Sequence, residues 1–190
     1  MQMRLYLVRH GKPSATWGGD DDDPGLDAAG LEQARDVARR LLDLAPAERP
    51  TAVISSPLRR CRETAQPLAD ALGVPVETDP AVGEIPTPGG LSLAERPAWL
   101  RQALGGDWSD IEGDIDYELW RRGVARSVSS RAGAAVFSHF VAINAVVSVL
   151  TDQSRAVTFR PDHASVTVLE AQAGRLSLVS LGDEAGTQVL

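Results

Sequence analysis

The stretch Leu5-Tyr6-Leu7-Val8-Arg9-His10-Gly11 decides the fold, because an apolar run of strand type stops there at a cation, an imidazole and a glycine. A strand that delivers these three groups to one spot is suited to hold a phosphoryl group. Arg9 offers a planar fork of donors, and His10 can attack when neutral. Gly11 lets the backbone turn sharply and come close to a ligand. Three residues recur by chance in many chains, so the weight rests on a second His and a second Arg at matching positions downstream.

Working outward, Met3 to Val8 is the first predicted strand, and Lys12 to Gly25 is a Gly-, Pro- and Asp-rich loop. A helix follows over Leu26 to Leu44, with Leu31, Ala34, Val37, Ala38, Leu41 and Leu42 as its apolar positions and Pro46 and Pro50 beyond its end. Ala52 to Ile54 is a short second strand. It leads into Ser55-Ser56-Pro57, where a Ser N-cap and Pro57 at the first helical position predict a helix to about Leu72, stopped by Gly73. Val74 to Thr78 is a third strand, and Pro80 to Gly90 is a loop that contains Glu84.

From Leu91 to about Ser130 the spacing is helical again, through Leu93, Trp99, Leu100 and Leu104, then Ile115, Leu119, Trp120 and Val124. This region reads as a cap or side layer. Ala134 to Phe137 is a fourth strand ending at Ser138-His139, followed by an apolar helix over Val141 to Leu150. Ser165 to Glu170 and Arg175 to Leu181 are two final strands, joined at a Gly174 turn into a hairpin at the sheet edge. The expected architecture is α/β: a three-layer α/β/α sandwich with a mainly parallel central sheet and an antiparallel edge strand. Residues 1–190 form a single domain in this reading, with 91–130 as a helical insert.

Composition bounds the partners. The chain has 190 residues, 43% of them hydrophobic, enough to bury a real core. Its net charge of −7 argues against a nucleic-acid surface, so an anionic substrate must be small and captured locally. The acidic run Asp20 to Asp23 is ordinarily a solvated loop; at a site mouth it would disfavour highly charged substrates. The single cysteine, Cys61, excludes an internal disulfide framework, and no zinc-type Cys/His spacing is present. No apolar run reaches bilayer length, and the chain enters its first strand without room for a signal peptide. The expectation is a cytoplasmic protein with no membrane or nucleic-acid partner, no cofactor and no metal, with a homodimer left open.

Ligands of open α/β sheets bind beyond the carboxyl ends of the strands. His10 at the end of strand one, Arg60 in the first turns of the helix after strand two, and His139 at the end of strand four would then meet at one rim. Two Arg, two His and a helix N-terminus make a cradle for a dianion. These residues resemble the histidine phosphatase superfamily over nearly the whole chain. Arg9-His10-Gly11 is similar to its opening motif and Leu26 to Ala34 to its following helix start. Ser55 to Ala65 (SSPLRRCRETA) resembles its second-arginine helix, and Val136-Phe137-Ser138-His139 its second-histidine strand.

The resemblance implies that His10 is the nucleophile, that Arg9, Arg60 and His139 grip the phosphoryl oxygens with Gly11 nearby, and that Glu84 is the proton donor. Charge spread over three equatorial oxygens in the transition state suits such fixed donors. Two neighbouring arginines should keep His10 neutral at pH 7, and a protonated His139 would add charge once the dianion is bound. The chain departs from the family pattern at Phe140, where the family usually has Gly; a bulky side chain there narrows the pocket or packs beneath it. A phosphate-binding Asn of the mutases is also missing, and Ser14 or Thr16 could substitute. His163 and Trp17 are further pocket candidates, as is Trp108, although such aromatics mostly pack.

Acidic residues between Asp107 and Glu118 favour hydrolysis of a small phosphorylated metabolite over mutase chemistry, with inorganic phosphate as product. Phosphoglycerate mutase-type transfer and non-catalytic phosphate binding are the alternatives. A three-His metal site of His10, His139 and His163 is disfavoured by the adjacent arginines.

Overall fold

The computed structural model describes residues 3–15 and 21–186. Six strands, β1 (Met3–Arg9), β2 (Ala52–Ser55), β3 (Val76–Thr78), β4 (Ala134–Ser138), β5 (Val166–Gln172) and β6 (Arg175–Ser180), form one sheet in the order β3-β2-β4-β1-β5-β6. The pairs β3/β2, β2/β4 and β4/β1 are parallel, whereas β5 runs antiparallel to β1 and β6 antiparallel to β5. The hairpin turn is Ala173-Gly174, both at positive φ (51° and 78°), the geometry of the tight turns that match strand twist. It places β6 at the sheet edge, as the sequence predicts.

Alternation along the strands separates two cores. Leu5 and Leu7 of β1, Ile54 of β2 and Ala134 and Val136 of β4 face one side. They pack with the helices α4 (Tyr117–Ser129) and α5 (Phe140–Leu150), beside the shorter α3 (Arg96–Gly105). Tyr6, Val8, Val53, Ala135 and Phe137 face the other side, against α1 (Ala28–Leu42) and α2 (Arg59–Leu72). Three layers result, each face of the sheet covered by helices. Among the described residues no helix is long and apolar enough to cross a membrane.

Several boundaries differ from expectation for identifiable reasons. The second helix starts at Arg59, not at Pro57, with Leu58 as N-cap and no capping bond from its own side chain. The cap comes from elsewhere: Asp23 Oδ1 accepts the Arg59 N–H at 2.7 Å. The acidic run therefore has a structural job, since Asp22 also pairs with Arg96 at 3.7 Å; Asp20 lies outside the described residues. Leu31 is exposed and α1 buries Gly30, Ala34, Val37, Ala38 and Leu41 instead. In the region after Leu91, Leu119 and Ile115 are exposed, while Tyr117, Val124 and Val128 carry the buried face of α4.

Two glycines fix how α1 meets the end of β1. A Cβ on Gly30 would lie 2.2 Å from the Lys12 carbonyl oxygen, and one on Gly11 would lie 2.8 Å from the Gly30 carbonyl oxygen. Gly30→Ala should therefore destabilise the protein by more than ~1 kcal/mol in urea unfolding, against the gain of about 1 kcal/mol that helix propensity alone assigns to it. A stabilised variant would show that this backbone contact yields freely.

Candidate active site

The parallel register brings the candidate residues to one rim. Arg9 pairs with Ser138 across β1/β4, and Ser55 with Phe137 across β2/β4. One residue further on, the His10 N–H donates to the Ser138 carbonyl (3.0 Å) and the Ser56 N–H to the Phe137 carbonyl (2.9 Å). His10, His139 and Ser56 thus leave the sheet side by side. The His10 and His139 rings lie 5.3 Å apart, and His163 approaches His10 from another side at 5.8 Å.

Each side chain is held by a distinct contact. His10 Nδ1 lies 2.8 Å from its neighbour's carbonyl, Gly11 O, an acceptor, so Nδ1 carries the proton and Nε2 keeps its lone pair. Arg9 Nη1 donates to Pro161 O at 2.9 Å. The Arg9 carbonyl accepts the N–H of Ala164, a residue held at φ 55°. Arg60 comes from the first turn of α2 and is buried. Thr64, one turn on, donates to the Arg60 carbonyl (2.6 Å) and accepts the Gly11 N–H (2.9 Å).

That bond changes the expected part of Gly11. Its N–H is committed to Thr64, and its missing side chain serves the close approach to Gly30.

Glu84 reaches the same point from the loop after β3. The flanking Val82 and Ile85 are buried, and the Ser138 hydroxyl donates to Val82 O at 2.6 Å. Glu84 Oε2 then sits 3.3 Å from both Arg60 Nη2 and His139 Nδ1, which are 3.2 Å from each other. On the far side of the ring, His139 Nε2 lies 2.8 Å from Ser56 Oγ. The Ser56 hydroxyl donates there, which leaves the Nδ1 proton aimed at Glu84. Ser56 and Ser138 were not singled out as site residues from the sequence; the available signal was a hydroxyl beside each motif at a fully buried strand end.

The site side chains are buried, and burial sets their charges. Burial is the leading cause that lowers His10 well below the usual imidazole value, followed by His139, Arg60 and Arg9. The arginines are thus secondary to burial in keeping His10 neutral. Burial also lowers His139 to about 4, against the opposing pull of Glu84, so the ring is neutral at pH 7. His163 falls to about 4 for the same first reason, with Arg9 next. Cys61 lies beneath His139, its Sγ 3.4 Å from Nε2 and 3.5 Å from the Ser138 carbonyl, and burial pushes its thiol well above the ordinary range.

The remaining candidates divide. Phe140 packs beneath the site in the core, with the Arg9 guanidinium carbon 5.5 Å from its ring centre, which decides between the two placements expected for it. Ser14 is exposed; Thr16 and Trp17 lie outside the described residues. Trp108 is a core residue whose ring lies 5.9 Å from that of Trp120 and 5.9 Å from the Arg121 guanidinium carbon. Among the described residues no three or more His, Cys, Asp or Glu side chains are grouped to hold a metal ion.

A fold with two His and two Arg at the carboxyl ends of parallel strands matches one family by sequence as well. The model of the histidine phosphatase superfamily (branch 1) matches residues 5–184, and the chain belongs to that superfamily. Among curated proteins it is similar to the probable phosphoglycerate mutase GpmB of Escherichia fergusonii, 32% identical over 167 residues, 78% of this chain and 74% of that protein. It is 34% identical to the corresponding Yersinia pestis protein over 63% of this chain and 59% of that one. It is also 29% identical to the transcription factor tau 55 kDa subunit of Saccharomyces cerevisiae over 62% of this chain, a match that spans 32% of the yeast subunit.

Solved structures share the fold. Mycobacterial glucosyl-3-phosphoglycerate phosphatase superposes with a TM-score of 0.72 at 23% identity, over 95% of this chain and 98% of that one. Phosphoserine phosphatase from Entamoeba histolytica, in complex with 3-phosphoglyceric acid, gives 0.73 at 20% identity over 96% and 98%.

Three imidazoles held neutral in the folded state bind fewer protons than in the unfolded chain. Stability is then fully present above the ordinary imidazole pKa near 6.5 and falls as pH drops toward the lowered folded values. Melting temperature in phosphate-free buffer should decline from pH 7 to 4.5, and less steeply for His139→Gln than for the wild type. Equal slopes would mean that His139 is not held neutral by the fold.

Proposed function

We propose that this protein is a phosphomonoester hydrolase that works through a phosphohistidine on His10 and acts on a small phosphorylated metabolite without a metal ion. The observation that carries this reading is the His10 ring itself. Its Nδ1 proton is tied to Gly11 O, so a neutral Nε2 is left among Arg9, Arg60 and His139.

The chemistry follows from those groups. The substrate dianion takes over the donors of Arg60 and His139 that now hold Glu84, while Arg9 adds its charge. His10 Nε2 attacks phosphorus, the N–P bond forms, and the P–O bond to the alcohol breaks. Glu84 in its acid form gives its proton to the leaving oxygen. Its carboxylate then takes a proton from water, whose oxygen attacks the phosphohistidine, releasing phosphate and restoring His10. His139 gains its charge only when the bound dianion offsets the burial that keeps the ring neutral. Gly11 is left out of the phosphate contacts because its N–H is engaged.

A second reading, phosphoryl transfer of the phosphoglycerate mutase kind, is favoured by one observation, the 32–34% identity to proteins named probable phosphoglycerate mutases. Turnover of 3-phosphoglycerate in the presence of 2,3-bisphosphoglycerate separates it from hydrolysis.

Hydrolysis of p-nitrophenyl phosphate in EDTA should be present in the wild type and fall at least about 1,000-fold in His10→Ala. Full activity in the variant would exclude His10 as nucleophile, and no activity in either protein would favour transfer or simple phosphate binding. Because burial lowers the His10 pKa, kcat/KM should hold as pH falls from 7 through 6.5. Glu84→Gln should slow an alkyl phosphate more than p-nitrophenyl phosphate, whose phenolate leaves without a proton; equal losses would remove Glu84 from the donor role.

A further inference from the structure

Arg9 is the cation of the cradle with the fewest compensating partners. It is 6% exposed, its guanidinium makes one hydrogen bond among the described residues, to Pro161 O, and its Nε is buried without a partner. Arg60, by contrast, has the Glu84 carboxylate at 3.3 Å. Burial accordingly lowers the Arg9 pKa to about 10, with Glu84 and Asp162 acting in the opposite sense.

What faces Arg9 is an aromatic ring. The guanidinium carbon lies 5.5 Å from the centre of Phe140, within the range at which the negative face of a ring attracts a cation, and the attraction is greatest where water is excluded. Phe140 is itself firmly placed. It is the first residue of α5 and is buried among the residues of the α5-side core. Its carbonyl accepts from Asn144 Nδ2 (3.0 Å), and Asn144 Oδ1 in turn accepts the N–H groups of Thr158 and Phe159.

We propose that Phe140 is a positioning residue for phosphate binding, whose ring holds the buried Arg9 guanidinium in place without a carboxylate counterion. The inference rests on the phosphate-cradle reading above. A carboxylate beside Arg9 would hold the cation equally well, but its negative charge would also repel the incoming dianion. A ring supplies a quadrupole and no net charge, so the full charge of Arg9 stays available.

Calorimetric titration with inorganic phosphate tests this without requiring turnover. Phe140→Leu should weaken phosphate binding about tenfold, and Phe140→Tyr, which keeps the ring, should stay within about twofold of the wild type. In an Arg9→Ala background, adding Phe140→Leu should cost nothing further. Undiminished binding in Phe140→Leu would overturn the proposal, as would the same tenfold loss in the Arg9→Ala background, since the ring would then act on something other than Arg9. A wild type that does not bind phosphate would instead overturn the cradle reading on which the proposal rests. Near-UV circular dichroism checks that each variant is folded, and Phe140→Met replaces the Leu variant if that one is not.

Discussion

The site depends on the in-register parallel pairing of β1 with β4 and of β4 with β2. Because side chains alternate along a strand, sliding β1 by one residue would turn Leu5 and Leu7 away from the α5 side and Tyr6 and Val8 away from the α1/α2 side. Both cores would be lost together. The same register that satisfies two hydrophobic faces sets Arg9 against Ser138, and it therefore sets the distance between the two imidazoles that follow. Burial of apolar surface on both sides of a four-residue overlap thus fixes a polar geometry at its end.

Dehydration is the second consequence of that layout. Strands buried on both faces end in residues that are buried as well, so His10, His139, Arg9 and Arg60 are all withdrawn from water. The imidazoles respond by staying neutral. The guanidiniums, which carry their charge into the interior, respond by finding partners: Glu84 for Arg60, a backbone carbonyl and an aromatic face for Arg9. The carboxylate that neutralises Arg60 is the group proposed to move when a dianion arrives, whereas the partners of Arg9 carry no charge to displace.

Much of this was legible in the chain. Period-two and helical spacing located every strand and each main helix of the sandwich, and the Arg-His-Gly and Ser-His strand ends pointed to one rim because parallel strands share a carboxyl edge. What sequence spacing did not carry was tertiary supply. The cap of α2 comes from Asp23, 36 positions before Arg59, so Ser56-Pro57 looked like a helix start although Ser56 is turned toward His139. Leu31 and Leu119 satisfy helical spacing yet lie outside the buried arc, which depends on which neighbour a helix meets. Ser138 anchors the Glu84 loop across 56 positions, a bond that no local pattern announces.

Cys61 gives the protein a feature unrelated to phosphate chemistry. Its thiol is fully buried under His139 and pushed far above the ordinary thiol range, so it stays protonated and out of reach of alkylating reagents while the sheet end is closed. As the only sulfhydryl in the sequence, it reacts only when α2 parts from the end of β4. The rate of its modification is then a direct clock of how often that seam breathes, read at a single atom and without any added label.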